Sequence, residues 1–347
     1  MRKEYFSLPS IGLLAVIAVA GLAACSDFVH ASSVPSLYLN TAPAGTLRHG
    51  TNLGSLYISS ESPEPTNGIA VYSGSPLKYT NSITKGLGEP YGIALNSRGQ
   101  LFVANHGSST VSVYNAKSGK LIRTLSNRFM KVPLSLAVAP NDDVYVLSRS
   151  YVNIFKKGLQ SGTKRIDVNP LAIAIDASGN AYIATANAVE IFAPGGTKPI
   201  SSISQGVDVP DAMAIDSGGN LYVSNSPNSG CGNITVYDSA TGSLESTITK
   251  GVCHPGGIAF DSQSNAYVTD IAPPSVNVFS ATTHKRINLI SKGLSEPFAI
   301  LFDPTGNLYV ANLSDPGNVV VFPPGKKKPS QTLTDGVDFP YGLAWLP

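Results

Sequence analysis

Short apolar runs separated by tight polar turns recur along the chain, and one cadence returns seven times. Residues 209–225 show it best: Val-Pro-Asp-Ala-Met-Ala-Ile-Asp-Ser-Gly-Gly-Asn-Leu-Tyr-Val-Ser-Asn, a strand, a turn and a second strand. Related copies begin at Pro90, Pro133, Pro170, Pro255, Pro297 and Pro340, with neighbouring prolines 37 to 45 residues apart. In the six copies that have a second strand, an aromatic stands 12 residues after the proline, from Phe102 in the first to Tyr309 in the last. A period of about 40 residues with several strands per copy is the sequence mark of a β-propeller.

The first strand of each copy alternates strictly. Bulky residues stand three and five places after the proline: Ile93/Leu95, Leu136/Val138, Ile173/Ile175, Met213/Ile215, Ile258/Phe260, Ile300/Phe302 and Leu343/Trp345. Alanine lies between them (Ala94, Ala137, Ala174, Ala214, Ala259, Ala344), with Leu301 the exception. A period of two puts the large residues on one face and alanine on the other. Blades that stack face to face around a crowded axis need that arrangement. The turn that follows is Asp-x-x-Gly-Asn at 176–180, 216–220 and 303–307. Its Asp accepts backbone hydrogen bonds and its Gly takes the positive φ. These turns lack the further carboxylates of a calcium loop, so they are structural. Second strands follow at 101–104, 144–147, 181–184, 221–224, 266–269 and 308–311, and third strands end at Tyr114, Phe155, Phe192, Tyr237, Phe279 and Phe322. A fourth strand then runs into a Gly-containing connection such as Ile-Thr-Lys-Gly at 248–251.

The ends settle the count. Residues 56–58, 69–72 and 78–83 supply a second, third and fourth strand with no first, and 342–345 is a first strand with nothing after it. The expected fold is all-β: a seven-bladed β-propeller of four antiparallel strands per blade, occupying residues 55–347, with the N- and C-terminal strands sharing one blade. Closure of that kind leaves no unpaired inner edge at the seam.

Residues 1–24 form a targeting segment. Arg2 and Lys3 precede an apolar run at 11–20, too short for a comfortable membrane span. Leu22-Ala23-Ala24-Cys25 then resembles the bacterial lipobox. The resemblance implies a lipoprotein of the bacterial cell envelope, lipidated at Cys25, membrane-anchored, with residues 25–54 as a flexible tether. The competing reading is an ordinary secretory signal that happens to end in cysteine. In an oxidising compartment the remaining pair, Cys231 and Cys253, is expected to form a disulfide, since both lie in loops on one edge of the same blade. Only 13% of residues are charged and the net charge is +2, which excludes the basic footprint of a nucleic-acid binder. The one cationic run, Lys326-Lys327-Lys328, is a solvated turn. The chain is expected to be monomeric.

The copies resemble the NHL repeat, carried best by Pro255-Gly256-Gly257-Ile258-Ala259-Phe260-Asp261 and Gly306-Asn307-Leu308-Tyr309-Val310-Ala311-Asn312. The likeness covers about residues 55–347. Relatives of that kind include binding modules, gluconolactonase-like metal hydrolases, streptogramin lyases and peptidyl-glycine amidating lyases, so the resemblance implies fold more firmly than function. The enzymes among them use His, Glu, Asp or Asn around a divalent metal at one channel mouth. Of five histidines, His30 and His49 belong to the tether and His284 to the opposite face; only His106 and His254 could share a site, without metal-ligand spacing around either. No cofactor motif occurs. Second-to-third and fourth-to-first loops emerge on one edge, and the former vary: Tyr145 to Phe155 is 10 residues, Tyr222 to Tyr237 is 15. Variable loops on a regular scaffold are where recognition concentrates. The polar residues there are Glu89, His106, Arg149, Asn225, His254, Asp270, Glu296 and Asp315. The expectation is a non-enzymatic module that binds a protein, peptide or glycan on this face. The alternatives are a metal-dependent lactonase or lyase using the same mouth, and a structural scaffold of an envelope assembly.

Overall fold

A computed structural model describes residues 54–60, 68–160 and 163–347. The targeting segment, Cys25 and nearly all of the expected tether lie outside the described residues. Seven four-stranded antiparallel sheets form the molecule. Blade 1 joins the last strand, Pro340–Leu346, to Ser55–Ser60, Gly68–Ser73 and Lys78–Ile83. Blades 2 to 7 follow in chain order, with inner strands Pro90–Leu95, Ser135–Val138, Ala172–Ile175, Pro210–Ile215, Pro255–Phe260 and Pro297–Phe302. Each inner strand touches the next in a closed cycle that runs back to Pro340–Leu346. The seam is in register from Ser55↔Leu346 to Ser59↔Gly342, as the spacing predicts.

The alternation is used as the axis requires. Ile93 packs with Ala344 of blade 1, while Ala94 on the other face packs with Leu136 of blade 3. Ala137 meets Ile173, Ala174 meets Met213, and Ala214 meets Ile258. Leu301, where alanine is missing, instead joins Leu343 and Trp345 in the cluster between blades 7 and 1. Each fully buried aliphatic side chain contributes roughly 1.5–3 kcal/mol, so the blade interfaces carry most of the stability. The Asp turns form as expected: Asp176, Asp216 and Asp303 each accept the backbone N–H and the side-chain amide of the Asn four residues on. Gly179, Gly219 and Gly306 sit at φ +86°, +87° and +86°.

Two residues after the proline only small side chains occur: Gly92, Ser135, Ala172, Ala212, Gly257, Ala299 and Gly342. Here adjacent inner strands nearly touch. A Cβ on Gly92 would lie 2.8 Å from Ser135 Cα, and one on Gly257 would lie 2.7 Å from the Phe298 carbonyl oxygen. Side chains from the second strands bind this crossing: Ser59 donates to the Tyr91 carbonyl, Ser224 to that of Gly256, and Thr269 to that of Phe298. The axis is thus held blade to blade, and the loops rise from a stiff ring.

Candidate functional site

The loop face is built by the start of each inner strand. Pairing with the second strand slips there: Pro210 faces Asn225 but Ala212 faces Ser224, and Pro90 faces Asn105 while Ile93 faces Val103. Such bulges re-aim side chains. Before the proline, Glu89, Val132, Val209 and Phe339 are left-handed, with φ from +43° to +54°, a rare conformation for branched side chains such as valine. The turned carbonyl accepts the first N–H beyond the second strand, as in His106 to Glu89 (2.9 Å) and Ser226 to Val209 (3.0 Å).

Two of the residues expected to face a ligand belong to this foundation. Asn225 and Asp270 are buried at the end of their second strands. Asn225 accepts the Asp208 N–H, and the Asp270 carboxylate accepts those of Cys253, His254 and Ala272. Asn105 and Asn312 do the same for Gly88 and Ser295. These side chains shape the loops from below.

The other expected residues lie at the surface. His106 Nδ1 is 3.0 Å from Glu89 Oε2, and the imidazole stacks on Tyr91 at 4.5 Å. Arg149, His254, Glu296 and Asp315 are exposed on separate loops, and among the described residues no contact joins them to one another. Cys231 and Cys253 form a disulfide that ties the second-to-third loop of blade 5 to the exit from that blade.

Sequence reasoning missed the residue directly after the proline. Around the ring it is Tyr341, Tyr91, Leu134, Leu171, Asp211, Gly256 and Phe298, the one inner-strand position whose chemistry changes from blade to blade. That variability in a regular repeat was the available signal. Tyr91 and Tyr341 stack at 4.2 Å and Phe298 meets Tyr341 edge-on. All three are nearly buried, so aromatic rings fill the blade 7, 1 and 2 side of this end.

Asp211 is the only carboxylic acid in that ring. Burial pushes its carboxyl up to about 7, against a smaller opposing effect of the Ser226 hydroxyl. The folded value is raised above the ordinary one of about 4, so the native state keeps a proton that the unfolded chain releases. Stability is therefore greatest below about pH 4 as far as this group decides it, and declines as pH rises to about 7. Asp211→Asn is expected to flatten that decline and to exceed the parent at about pH 8 by about 2 kcal/mol, allowing for partial exposure. Urea unfolding of both proteins at about pH 5 and about pH 8 checks it; equal pH dependence in parent and variant contradicts the assignment.

The opposite mouth holds a cavity of about 560 Å³. Its walls come from blades 1, 2, 3, 4 and 7, through Leu95, Val138, Ile175, Leu301, Trp345 and their neighbours. Arg98, Lys117 and Asp142 stand on it, with Arg98 and Asp142 paired at 3.0 Å. The volume is in the range of small-molecule sites. None of the residues expected to face a ligand lines it. Among the described residues no group of three or more His, Cys, Asp or Glu could hold a metal ion.

No protein-family model matches the chain, and no curated protein does. Solved structures do. Hydrazine synthase of Kuenenia stuttgartiensis matches at 18% identity with a TM-score of 0.55, over 69% of this chain and 78% of that one. A chain of the mitotic checkpoint complex matches at 13% identity with a TM-score of 0.65, over 82% and 84%. Virginiamycin B lyase from Staphylococcus aureus matches at 16% identity with a TM-score of 0.56, over 69% and 85%. At such identities the likeness is one of fold. The protein is a seven-bladed β-propeller.

Proposed function

We propose that this propeller is a non-catalytic binding module, NHL-like in its repeat, lipid-anchored in the cell envelope through Cys25, that presents its loop face to a protein, peptide or glycan. One observation carries the reading: loops of unequal length stand on nearly identical blades, and those of blades 2, 5, 6 and 7 are held in place from below. Asn105, Asn225, Asp270 and Asn312 fix the loop backbones, and the Cys231–Cys253 bond fixes the longest fully described second-to-third loop. Preorganised loops lose less freedom on binding, so their contacts convert more fully into affinity. The aromatic filling of the axis on this side favours a ligand laid across the mouth over a small molecule engulfed by it.

The test uses two multi-site variants and a ligand captured by crosslinking from envelope extract, then purified. Alanine at Arg149, His254 and Glu296 is expected to weaken its binding at least about tenfold. Alanine at Lys326, Lys327 and Lys328, exposed on the other face, is expected to leave it unchanged. The reverse pattern overturns the assignment of the face. A stoichiometric, tightly held divalent ion on the purified protein would favour a metal-dependent lactonase or lyase instead.

A further inference from the structure

The loop face is not uniform in charge. Between blades 2 and 3 the connection carries Arg128 and Lys131, the tight turn of blade 3 carries Arg149, and its last strand carries Arg165. Arg128, Lys131 and Arg149 are exposed. Asp167 is the single acid of this sector, and it pairs with Arg165 at 2.7 Å. The sector therefore keeps a net positive charge of three. On the far side of the ring, Glu296, Asp315, Asp335 and Asp338 stand against Lys292. Four cations of the loop face thus stand together in one arc, whereas Lys85, Lys250 and Lys292 stand singly in the connections of other blades.

Two of these cations, Arg128 and Arg165, are also held in place. The guanidinium carbon of Arg165 lies 4.1 Å from the centroid of Phe129 and 4.7 Å from that of Tyr151, and that of Arg128 lies 4.6 Å from Phe129. Phe129 and Tyr151 meet edge to face at 6.2 Å. Phe129 is set by its own loop, where Asn127 accepts the N–H groups of Phe129 and Met130 and donates to Asn153 of the third strand. A guanidinium stacked on an aromatic ring turns its edge donors toward carboxylates, as that of Arg165 does toward Asp167 through Nε and Nη2, and has less rotamer freedom to lose. Arg, Tyr and Phe, half-covered and fixed, are the residues that dominate protein–protein binding energy.

We propose that the arc formed by Arg128, Phe129, Lys131, Arg149, Tyr151 and Arg165 is the docking site for an acidic peptide segment of a partner protein. The inference rests on the assignment of the loop face and names the ligand class for it. The segment is short. A long polyanion tracking the face would run from this arc into Glu296, Asp315, Asp335 and Asp338, and the like charges would repel it. Those same acids would favour a partner whose flanking surface is basic, which fixes the orientation of docking.

The probe is a fluorescein-labelled oligoglutamate peptide, titrated with the full mature protein and followed by anisotropy at physiological ionic strength. Arg128→Glu/Arg165→Glu is expected to weaken binding more than tenfold. Lys326→Glu/Lys327→Glu/Lys328→Glu, which changes the charge by more, is expected to leave it unchanged. Arg128→Lys/Arg165→Lys, which keeps charge but not the planar fork, is expected to fall between, with thermal midpoints confirming that all variants are folded. Equal loss in the two Glu variants overturns the site, because it reduces the effect to net charge. Binding to phosphatidylglycerol vesicles that depends on Arg128 and Arg165, with no binding of the peptide, overturns it in favour of a membrane surface. Self-association in sedimentation that Arg128→Glu/Arg165→Glu abolishes overturns it in favour of a second copy. Failure of the peptide, with the ligand captured through the loop face still lost on alanine substitution of Arg149, His254 and Glu296, removes the acidic-peptide class and leaves the loop-face reading intact.

Discussion

Replacing Trp345 with alanine is expected to lower the free energy of unfolding by about 3–5 kcal/mol, the cost of truncating a large buried aromatic. Trp345 belongs to the strand that closes the ring, opposite Leu56 of the first described strand. Its indole packs in one cluster with Leu56, Ile58, Leu301 and Leu343 and lies 5.5 Å from the ring of Tyr309. Gly54 crosses its edge so closely that a Cβ there would come within 2.3 Å of the ring. Truncation therefore loosens three strands together: the closing strand, its partner and the inner strand of blade 7. It also enlarges a cavity of which the indole is already one wall, and a void that cannot collapse adds to the transfer cost. Because Trp345 is the only tryptophan, native fluorescence reports the seam directly. Blue-shifted emission that moves to the red on unfolding is the expected signal. Phe192→Ala, in the fully buried core of blade 4, provides a comparison away from the seam. If both variants lose similar stability but only Trp345→Ala exposes the chain to proteolysis at its ends, the seam is where the ring opens. Emission of a water-exposed indole in the native protein would contradict the closure.

The ring was legible because its signals are local and repeat. A proline, an alternating strand with alanine at its centre and an Asp-x-x-Gly-Asn turn recur at fixed offsets, so the blade count followed from Pro90 to Pro340 and the seam from the unmatched strands at the two ends. The loop face was harder, for two reasons. Asn105, Asn225, Asp270 and Asn312 all stand 15 residues after their prolines. These four recur at one place because they support their loops, whereas the residue after the proline changes from blade to blade, as Tyr91, Asp211 and Phe298 do. Bulges hid that second set, because slipped pairing re-aims a side chain without altering the spacing of the prolines. The arginine–aromatic arc had no local trace at all. Arg128 comes from the connection between blades 2 and 3, Tyr151 from the start of the third strand of blade 3 and Arg165 from its fourth, and only the packing of blade 3 against blade 2 brings them to Phe129. The cavity at the other mouth likewise draws on five blades, each giving a residue already explained by the core.

Reduction of the Cys231–Cys253 bond is expected to lower stability by about 3 kcal/mol, and to do so through one loop. The bond joins residues 22 apart in sequence, and a closed loop of that size restricts the unfolded chain by roughly 3 kcal/mol in the chain-entropy description. What it restricts in the native protein is specific. Gly232 donates its N–H to the Cys253 carbonyl, and a Cβ on Gly232 would come within 2.0 Å of the Asn225 carbonyl oxygen. The two chain segments are therefore pressed together beside the bridge, with the Asp270 carboxylate binding the next N–H groups from below. Cys231 is exposed, so reductant reaches the bond without global unfolding. Cys231→Ser/Cys253→Ser should shift the urea midpoint down with little change in its other features, and reductant should shift the parent by the same amount and the variant not at all. Limited proteolysis should then cut between residues 226 and 231 first, because those residues lose their tie while the strands on either side remain paired. Two titratable thiols in denatured, unreduced protein would refute the bond. A midpoint shift without new cleavage in that loop would place its effect in the unfolded chain alone and leave the loop ordered by Gly232 and Asp270. In that case binding at the loop face should survive reduction; where the loop is cut, affinity for the captured ligand should fall with it if blade 5 contributes to the contact.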